Sequence, residues 1–294
     1  MFNKAKKLLT GLAFFALTAN AHADEITIGG KNFTEQQLLS SITEQLLQAK
    51  GFEVSNRAGM GTAAVRAAME NGQIDVYWEY TGTSLINFNK VKEKLSAEET
   101  YSRVKELDAK KGIVWLNASK ANNTYALAMR AAKSKETGIS TLSDLAKSVN
   151  GNEGLTLGCN AEFYARADGL KPLQKAYGFK FSRSDVKRMD SGLVYQALRD
   201  AQVDVGLVFA TDGRIPAFDF VVLKDDKGYF PAYALAPVVR TEVLEANPSL
   251  AGLLNEVSAK LDDKIMASLN AQVDVEKVSI ENVAKKFLKD NGFI

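Results

Sequence analysis

Ile26-Thr27-Ile28-Gly29 returns 129 positions along the chain as Leu155-Thr156-Leu157-Gly158. Gln73-Ile74-Asp75-Val76 returns at the same offset as Gln202-Val203-Asp204-Val205. Each copy is a short aliphatic and β-branched run, which reads as a buried strand. Between the runs, Gly51-Phe52 is matched by Gly178-Phe179, two positions off register. Each unit therefore carries strand, helix, strand, helix, strand, the order of an α/β unit with parallel strands. Two such units in one chain imply two lobes of like topology.

Working outward from the first run, Thr34 with Gln37 three residues on reads as a capping box opening a helix. Leu38, Leu39, Ile42, Leu46 and Leu47 follow at helical spacing, and Gly51 closes it. A second helix is expected from Thr62 to Glu70 and the next strand from Ile74 to Trp78. In open α/β sheets, ligands sit beyond the carboxyl ends of the strands. Those ends are Gly30 to Phe33 and Glu79 to Thr83 in the first unit, and Cys159 to Arg166 and Phe209 to Gly213 in the second. Two lobes facing each other across these loops form a cleft. Building such a closed pair requires the chain to cross twice, which gives one lobe of residues 24–125 plus 231–294 and another of 126–230.

The N-terminus bears on compartment. Lys4, Lys6 and Lys7 precede an apolar stretch from Leu8 to Ala19, and Ala21-His22-Ala23 is a small-x-small cleavage pattern. The stretch is short for a membrane span, so residues 1–23 are expected to be a cleavable signal peptide. No cysteine follows the apolar core, so no lipid anchor is expected. Without residues 1–23 the chain has 34 basic against 35 acidic residues, near neutrality, and no nucleic-acid partner is expected. The one histidine, His22, leaves with that segment. Its loss removes the commonest general base and metal ligand and rules out Ser-His-Asp and Cys-His arrangements. The single cysteine, Cys159, excludes an intramolecular disulfide and a cysteine-rich metal site. Neither a metal nor a cofactor is expected.

Six segments carry a resemblance. They are Gly30-Lys31-Asn32-Phe33-Thr34-Glu35-Gln36, Glu79-Tyr80-Thr81-Gly82-Thr83, Asn122-Asn123-Thr124-Tyr125, Ala161-Glu162-Phe163, Ser191-Gly192-Leu193-Val194-Tyr195 and Ala210-Thr211-Asp212-Gly213-Arg214-Ile215. In this order they resemble the substrate-binding proteins of the glycine betaine, carnitine and choline ABC transporters. The resemblance runs from Ile26 to the C-terminus, including Ala236-Pro237-Val238-Val239-Arg240. It implies a type II periplasmic-binding-protein fold, with two α/β lobes and the ligand between them. It also implies a periplasmic protein that is no enzyme, acts as a monomer, and delivers a quaternary ammonium solute to an ABC transporter permease in the inner membrane.

A trimethylammonium group has no N–H to donate, so aromatic faces are its natural partners. By resemblance, Tyr80, Tyr125 and Tyr195 take cage positions, with Phe218 as the nearest candidate for a fourth wall where tyrosine is usual. The carboxylate of a betaine needs fixed donors and positive charge. Lys31, Arg166 and Thr83 resemble the family's donors, and Thr83 leans the site toward zwitterionic betaines over choline. Other readings stay open. Tyr195 lies in a helical run and suits a core face as well. Lys31 and Arg166 suit ordinary solvated charges. The alternative to a betaine is a different small solute (choline, carnitine, ergothioneine or an amino acid), and behind that an enzyme without histidine. Trp78 and Trp115 are expected in the core, Cys159 as a small buried residue, and Asp212 as a turn brace.

Overall fold

Each echoed unit builds a five-stranded sheet of its own in the computed structural model, which describes residues 25–294. The expected signal peptide lies outside the described residues. In chain order the strands are β1 (Ile26–Lys31), β2 (Val54–Met60), β3 (Val76–Tyr80), β4 (Ile113–Trp115), β5 (Tyr125–Arg130), β6 (Leu157–Cys159), β7 (Val186–Arg188), β8 (Val205–Phe209), β9 (Phe220–Val222) and β10 (Leu235–Arg240). The first sheet runs β2-β1-β3-β10-β4 and the second β7-β6-β8-β5-β9. In the first, β1 is parallel to β2 and β3, while β10 is antiparallel to its neighbours. In the second, β6 is parallel to β7 and β8, and β5 is the antiparallel strand. The two sheets thus share one topology, and each takes its antiparallel strand directly after the chain has crossed between lobes. This is a two-lobed α/β fold of the periplasmic-binding type.

The sequence echo extends to single hydrogen bonds. The Thr27 amide donates to Asp75 Oδ2 at 2.7 Å, and the Thr156 amide to Asp204 Oδ2 at 2.9 Å. Ile28 aligns with Val76, and Leu157 with Val205. In both lobes a threonine beside the first strand and an aspartate before the third lock the same pair of parallel strands.

Helix α1 (Thr34–Ala49) buries Leu38, Leu39, Ile42, Leu46 and Leu47, the spacing that the sequence prescribes. Fully burying each leucine contributes about 1.5–3 kcal/mol. Its start differs from expectation. Phe33 is the N-cap and has no polar side chain to make a cap bond, while Thr34 is the first helical residue and its hydroxyl donates to Asp274 Oδ1 at 2.8 Å. Helix α2 (Thr62–Glu70) has the expected bounds, whereas the strand expected at Ile74–Trp78 begins and ends two residues later. Trp78 and Trp115 are core residues whose indole N–H groups donate to Thr43 and Asp108. Among the described residues no helix is long and apolar enough to cross a membrane, and no acidic, cysteine or histidine cluster suits a metal.

Candidate functional site

Strand ends supply most of the site. Lys31 closes β1, Tyr80 closes β3, Tyr125 opens β5 and Phe209 closes β8. Tyr125 lies opposite Phe209, and Tyr80 opposite Leu235, two residues beyond Tyr233 on the second crossing. The crossings touch each other through a bridge between Asn122 and Ala234. These ends converge on a cavity of about 760 Å³ between the sheets, a volume within the range of small-molecule sites.

Five rings line it: Phe33, Tyr80, Tyr125, Phe209 and Tyr233. Phe33 stacks on Phe209 with centroids 5.4 Å apart and faces Tyr80 at 6.3 Å. Tyr125 meets Phe209 at 5.4 Å and Tyr233 edge-on at 5.7 Å. Gly82 permits this packing, since a Cβ there would fall 2.9 Å from the Tyr233 ring and 2.7 Å from the Ala232 carbonyl oxygen. Rings from both sheets and from a crossing thus enclose one space, an arrangement suited to a methylated ammonium.

Lys31 and Arg166 are already paired. Lys31, buried beneath the ring of Tyr80 at 4.7 Å from its centroid, donates to Glu79. Glu79 also accepts from the Tyr77 hydroxyl at 3.0 Å. Burial pulls the Lys31 ammonium below its ordinary pKa, and Glu79 opposes that shift. Arg166 grips Asp168 through Nε and Nη2 at 2.8 and 2.7 Å, and Nη2 also donates to the Thr83 hydroxyl at 3.1 Å. Among the described residues Nη1 makes no hydrogen bond, which leaves a face of the guanidinium for a ligand oxygen. Asp168 is held further by the Tyr233 hydroxyl at 2.6 Å and by Asn87 at 3.2 Å. The same carboxylate therefore orients a ring of the cavity and the arginine beside it.

Two expected residues do not line the cavity. Tyr195 is fully buried, and its hydroxyl accepts the Phe209 amide proton at 2.9 Å. Arg214, which does line the cavity, covers the Tyr195 ring at 3.9 Å. Phe218 ends a short helix (Arg214–Ala217) and packs edge-on against Phe220 at 5.8 Å, in the same apolar cluster as Tyr195. Both serve packing between the helix Ser191–Arg199 and the second sheet. Lys31, Tyr80, Thr83, Tyr125 and Arg166 do meet in the cavity.

The family model described as the substrate binding domain of the ABC-type glycine betaine transport system matches residues 24–290. The chain belongs to this family. It is 47% identical to a glycine-betaine-binding protein of Pseudomonas aeruginosa over 280 residues, covering 93% of this chain and 90% of the relative. It is 34% identical to the glycine betaine-binding protein YehZ of Escherichia coli, covering 97% of this chain and 96% of that one. A solved glycine betaine/carnitine/choline ABC transporter structure superposes with a TM-score of 0.74 at 29% identity, covering 92% of this chain and 99% of the other.

Within this betaine-transport binding domain, three cavity rings escape a reading of the sequence. Phe209 ends a strand that the echo does locate, but a phenylalanine at a strand end is usually core. Tyr233 enters through the β3–β10 register, which no local pattern reveals. Phe33 sits in a loop marked as part of the cleft, with nothing to separate it from a packing residue. Glu35 is the most consequential omission. It reads as an acid in the first turn of a helix, yet it is 2% exposed and sits at the floor of the cavity. Burial raises its carboxyl above the usual range, against hydrogen bonds from Thr211, Tyr80, Asn270 and Asn123 that favour the ionised form. Cys159 is buried as expected, and burial pushes its thiol up to about 11, away from nucleophilic use.

Proposed function

We propose that this chain captures a quaternary ammonium compatible solute, glycine betaine or a related betaine, and presents it to an ABC transporter permease. The observation that carries the reading is the convergence of five rings on one cavity that also holds Arg166 and Thr83. Phe33, Tyr80, Tyr125, Phe209 and Tyr233 take the trimethylammonium, which needs ring faces in place of hydrogen-bond acceptors. Arg166, through its unengaged Nη1, takes the carboxylate together with Thr83. Lys31 contributes mainly by holding Tyr80 from beneath, since Glu79 already compensates its charge. The binding is reversible capture without chemistry, consistent with a family of transporter components.

The working lobes are residues 24–125 with 231–294, and 126–230, hinged at the two crossings. The place of action is the periplasm, supported by the leader pattern over residues 1–23, and the protein works there as a monomer facing an inner-membrane permease. Calorimetric titration of refolded, ligand-stripped protein tests this with glycine betaine, proline betaine, carnitine, choline, ergothioneine and an amino-acid panel. Saturable binding of one or more methylated ammonium compounds with none of the primary amino acids is the expected result. Tight binding of a primary amino acid alone defeats the reading.

A further inference from the structure

Six carboxylates are buried among the described residues, and five of them have a cation. Asp75 pairs with Arg240, Glu79 with Lys31, Asp108 with Arg66, Asp168 with Arg166 and Asp212 with Arg214. Glu35 has none. Its four hydrogen bonds come from neutral groups. Oε1 accepts from the Tyr80 hydroxyl at 2.7 Å and Asn123 Nδ2 at 2.9 Å. Oε2 accepts from the Thr211 hydroxyl at 2.5 Å and Asn270 Nδ2 at 3.1 Å. A buried carboxylate without a partner is costly to ionise, and a ligand cation held among the five rings of the cavity would supply the missing partner and favour its charged form.

We propose that Glu35 is the counter-charge of the ring cage and selects ligands whose caged end is a cation that donates no hydrogen bond. This rests on the quaternary ammonium reading above. The carboxylate has about four acceptor positions, and all four are filled by the protein. A primary ammonium brought into the cavity finds no lone pair free on Glu35 and loses its own water. A methylated ammonium needs no lone pair and responds only to the field, which is strong in a buried site of low dielectric. The link through Tyr80 works in the same direction. A phenol that donates to a carboxylate is polarised, which enriches its ring and strengthens its attraction for a cation. Glu35 touches no ligand atom in this account and acts as a positioning and field residue.

The discriminating ligand pair is glycine betaine and 3,3-dimethylbutyrate, which has the same shape and carboxylate with carbon in place of the charged nitrogen. Calorimetry on the full chain should give E35Q a loss of roughly tenfold or more for glycine betaine and less than about threefold for the isostere. E35D, which keeps the charge, should keep the preference for the cation. A structural role alone weakens both ligands together, so equal losses for the two, or no loss for either, overturns the proposal. Collapse of the preference in E35D overturns it as well. Should E35Q fail to fold by circular dichroism, Tyr80→Phe, which cuts the hydrogen bond between Glu35 and a cage ring while keeping the ring, decides: a larger loss for glycine betaine than for the isostere upholds the proposal, and equal losses overturn it. Failure of the wild type to bind any quaternary ammonium removes the functional reading together with this inference. Binding with an unaltered preference in E35Q removes this inference alone.

Discussion

The three tyrosines of the cavity use their hydroxyls differently, and that separates them by experiment. Tyr80 donates to Glu35 and Tyr233 to Asp168, while the Tyr125 hydroxyl has no protein partner among the described residues. Tyr125→Phe keeps the ring and leaves no buried acceptor unmet, so it should cost less than about 0.5 kcal/mol in affinity. Tyr233→Phe strips a donor from buried Asp168 and should cost about 1–3 kcal/mol, visible in thermal stability as well as in titration. Similar costs for the two would show that the hydroxyl contacts do not matter. Arg166→Ala should weaken glycine betaine by about 2–5 kcal/mol and choline far less, because choline has no carboxylate to lose. Titration of the variant with both ligands checks the split, and equal losses would remove Arg166 from the carboxylate end. At this scale the sequence reveals residues at or just past strand ends, such as Lys31 and Tyr80, because an apolar run that gives way to glycine or polar residues marks roughly where a strand stops. For Tyr195 spacing leaves the choice open, since a helical position fits a core face and a cavity face equally well, and in the structure the ring is fully buried beneath Arg214.

Among the elements, α2 is anchored by charge as much as by apolar packing. Arg66 on α2 donates two hydrogen bonds to Asp108 near the end of the helix Ala97–Ala109, at 3.0 and 2.7 Å. Ser84, Asn89 and Trp115 donate to the same carboxylate. Burial alone would raise the Asp108 carboxyl, but these donors and the Arg66 charge outweigh it and hold it at about 2. The ordinary aspartate pKa is about 3.9. A folded value below the unfolded one means that the stabilisation is complete above that ordinary value and is lost as pH falls toward 2. Asp108→Asn should therefore destabilise by about 3–5 kcal/mol at neutral pH, since Arg66 is left buried with only half-exposed Glu70 as a partner. Denaturant melts from pH 7 to pH 2 should show the variant losing less stability with acid than the wild type. Parallel pH profiles would exclude Asp108 as the titrating group. Helix α2 itself was legible to the residue. The capping box expected at α1 shows the limit of local patterns, because the helix starts one residue earlier than the box requires and Thr34 bonds instead to a residue 240 positions away.

At the scale of the whole molecule, polar contacts cross the cleft between the two sheets. Glu162 in the second lobe accepts from the Thr62 amide at 2.9 Å and the Thr62 hydroxyl at 2.7 Å, at the first turn of α2 in the other lobe. The N-terminal end of a helix favours such a carboxylate. Arg166 reaches Thr83, and Asn87 reaches Asp168, across the same gap. The echo in the sequence establishes two like lobes, but it says nothing of these bridges, which depend on how the lobes face each other. A ligand enclosed between lobes needs an entrance, and the proposed hinge at the two crossings would supply one. Opening then competes with the bridges, and their strength sets the fraction of molecules closed before ligand arrives. Apparent affinity is the intrinsic affinity reduced by that fraction when closed is the competent state. Removing two charge-assisted hydrogen bonds with Glu162→Ala should shift the equilibrium toward open by about 1–3 kcal/mol, roughly five- to 150-fold. Small-angle scattering should give the ligand-free variant a larger radius of gyration than the ligand-free wild type, and saturating glycine betaine should bring both to one compact value. Titration should show weaker binding by no more than that same factor, for glycine betaine and choline alike, because Glu162 acts on closure and on neither end of the ligand. An unchanged ligand-free radius together with a loss confined to glycine betaine would place Glu162 among the ligand contacts and refute its role in closure.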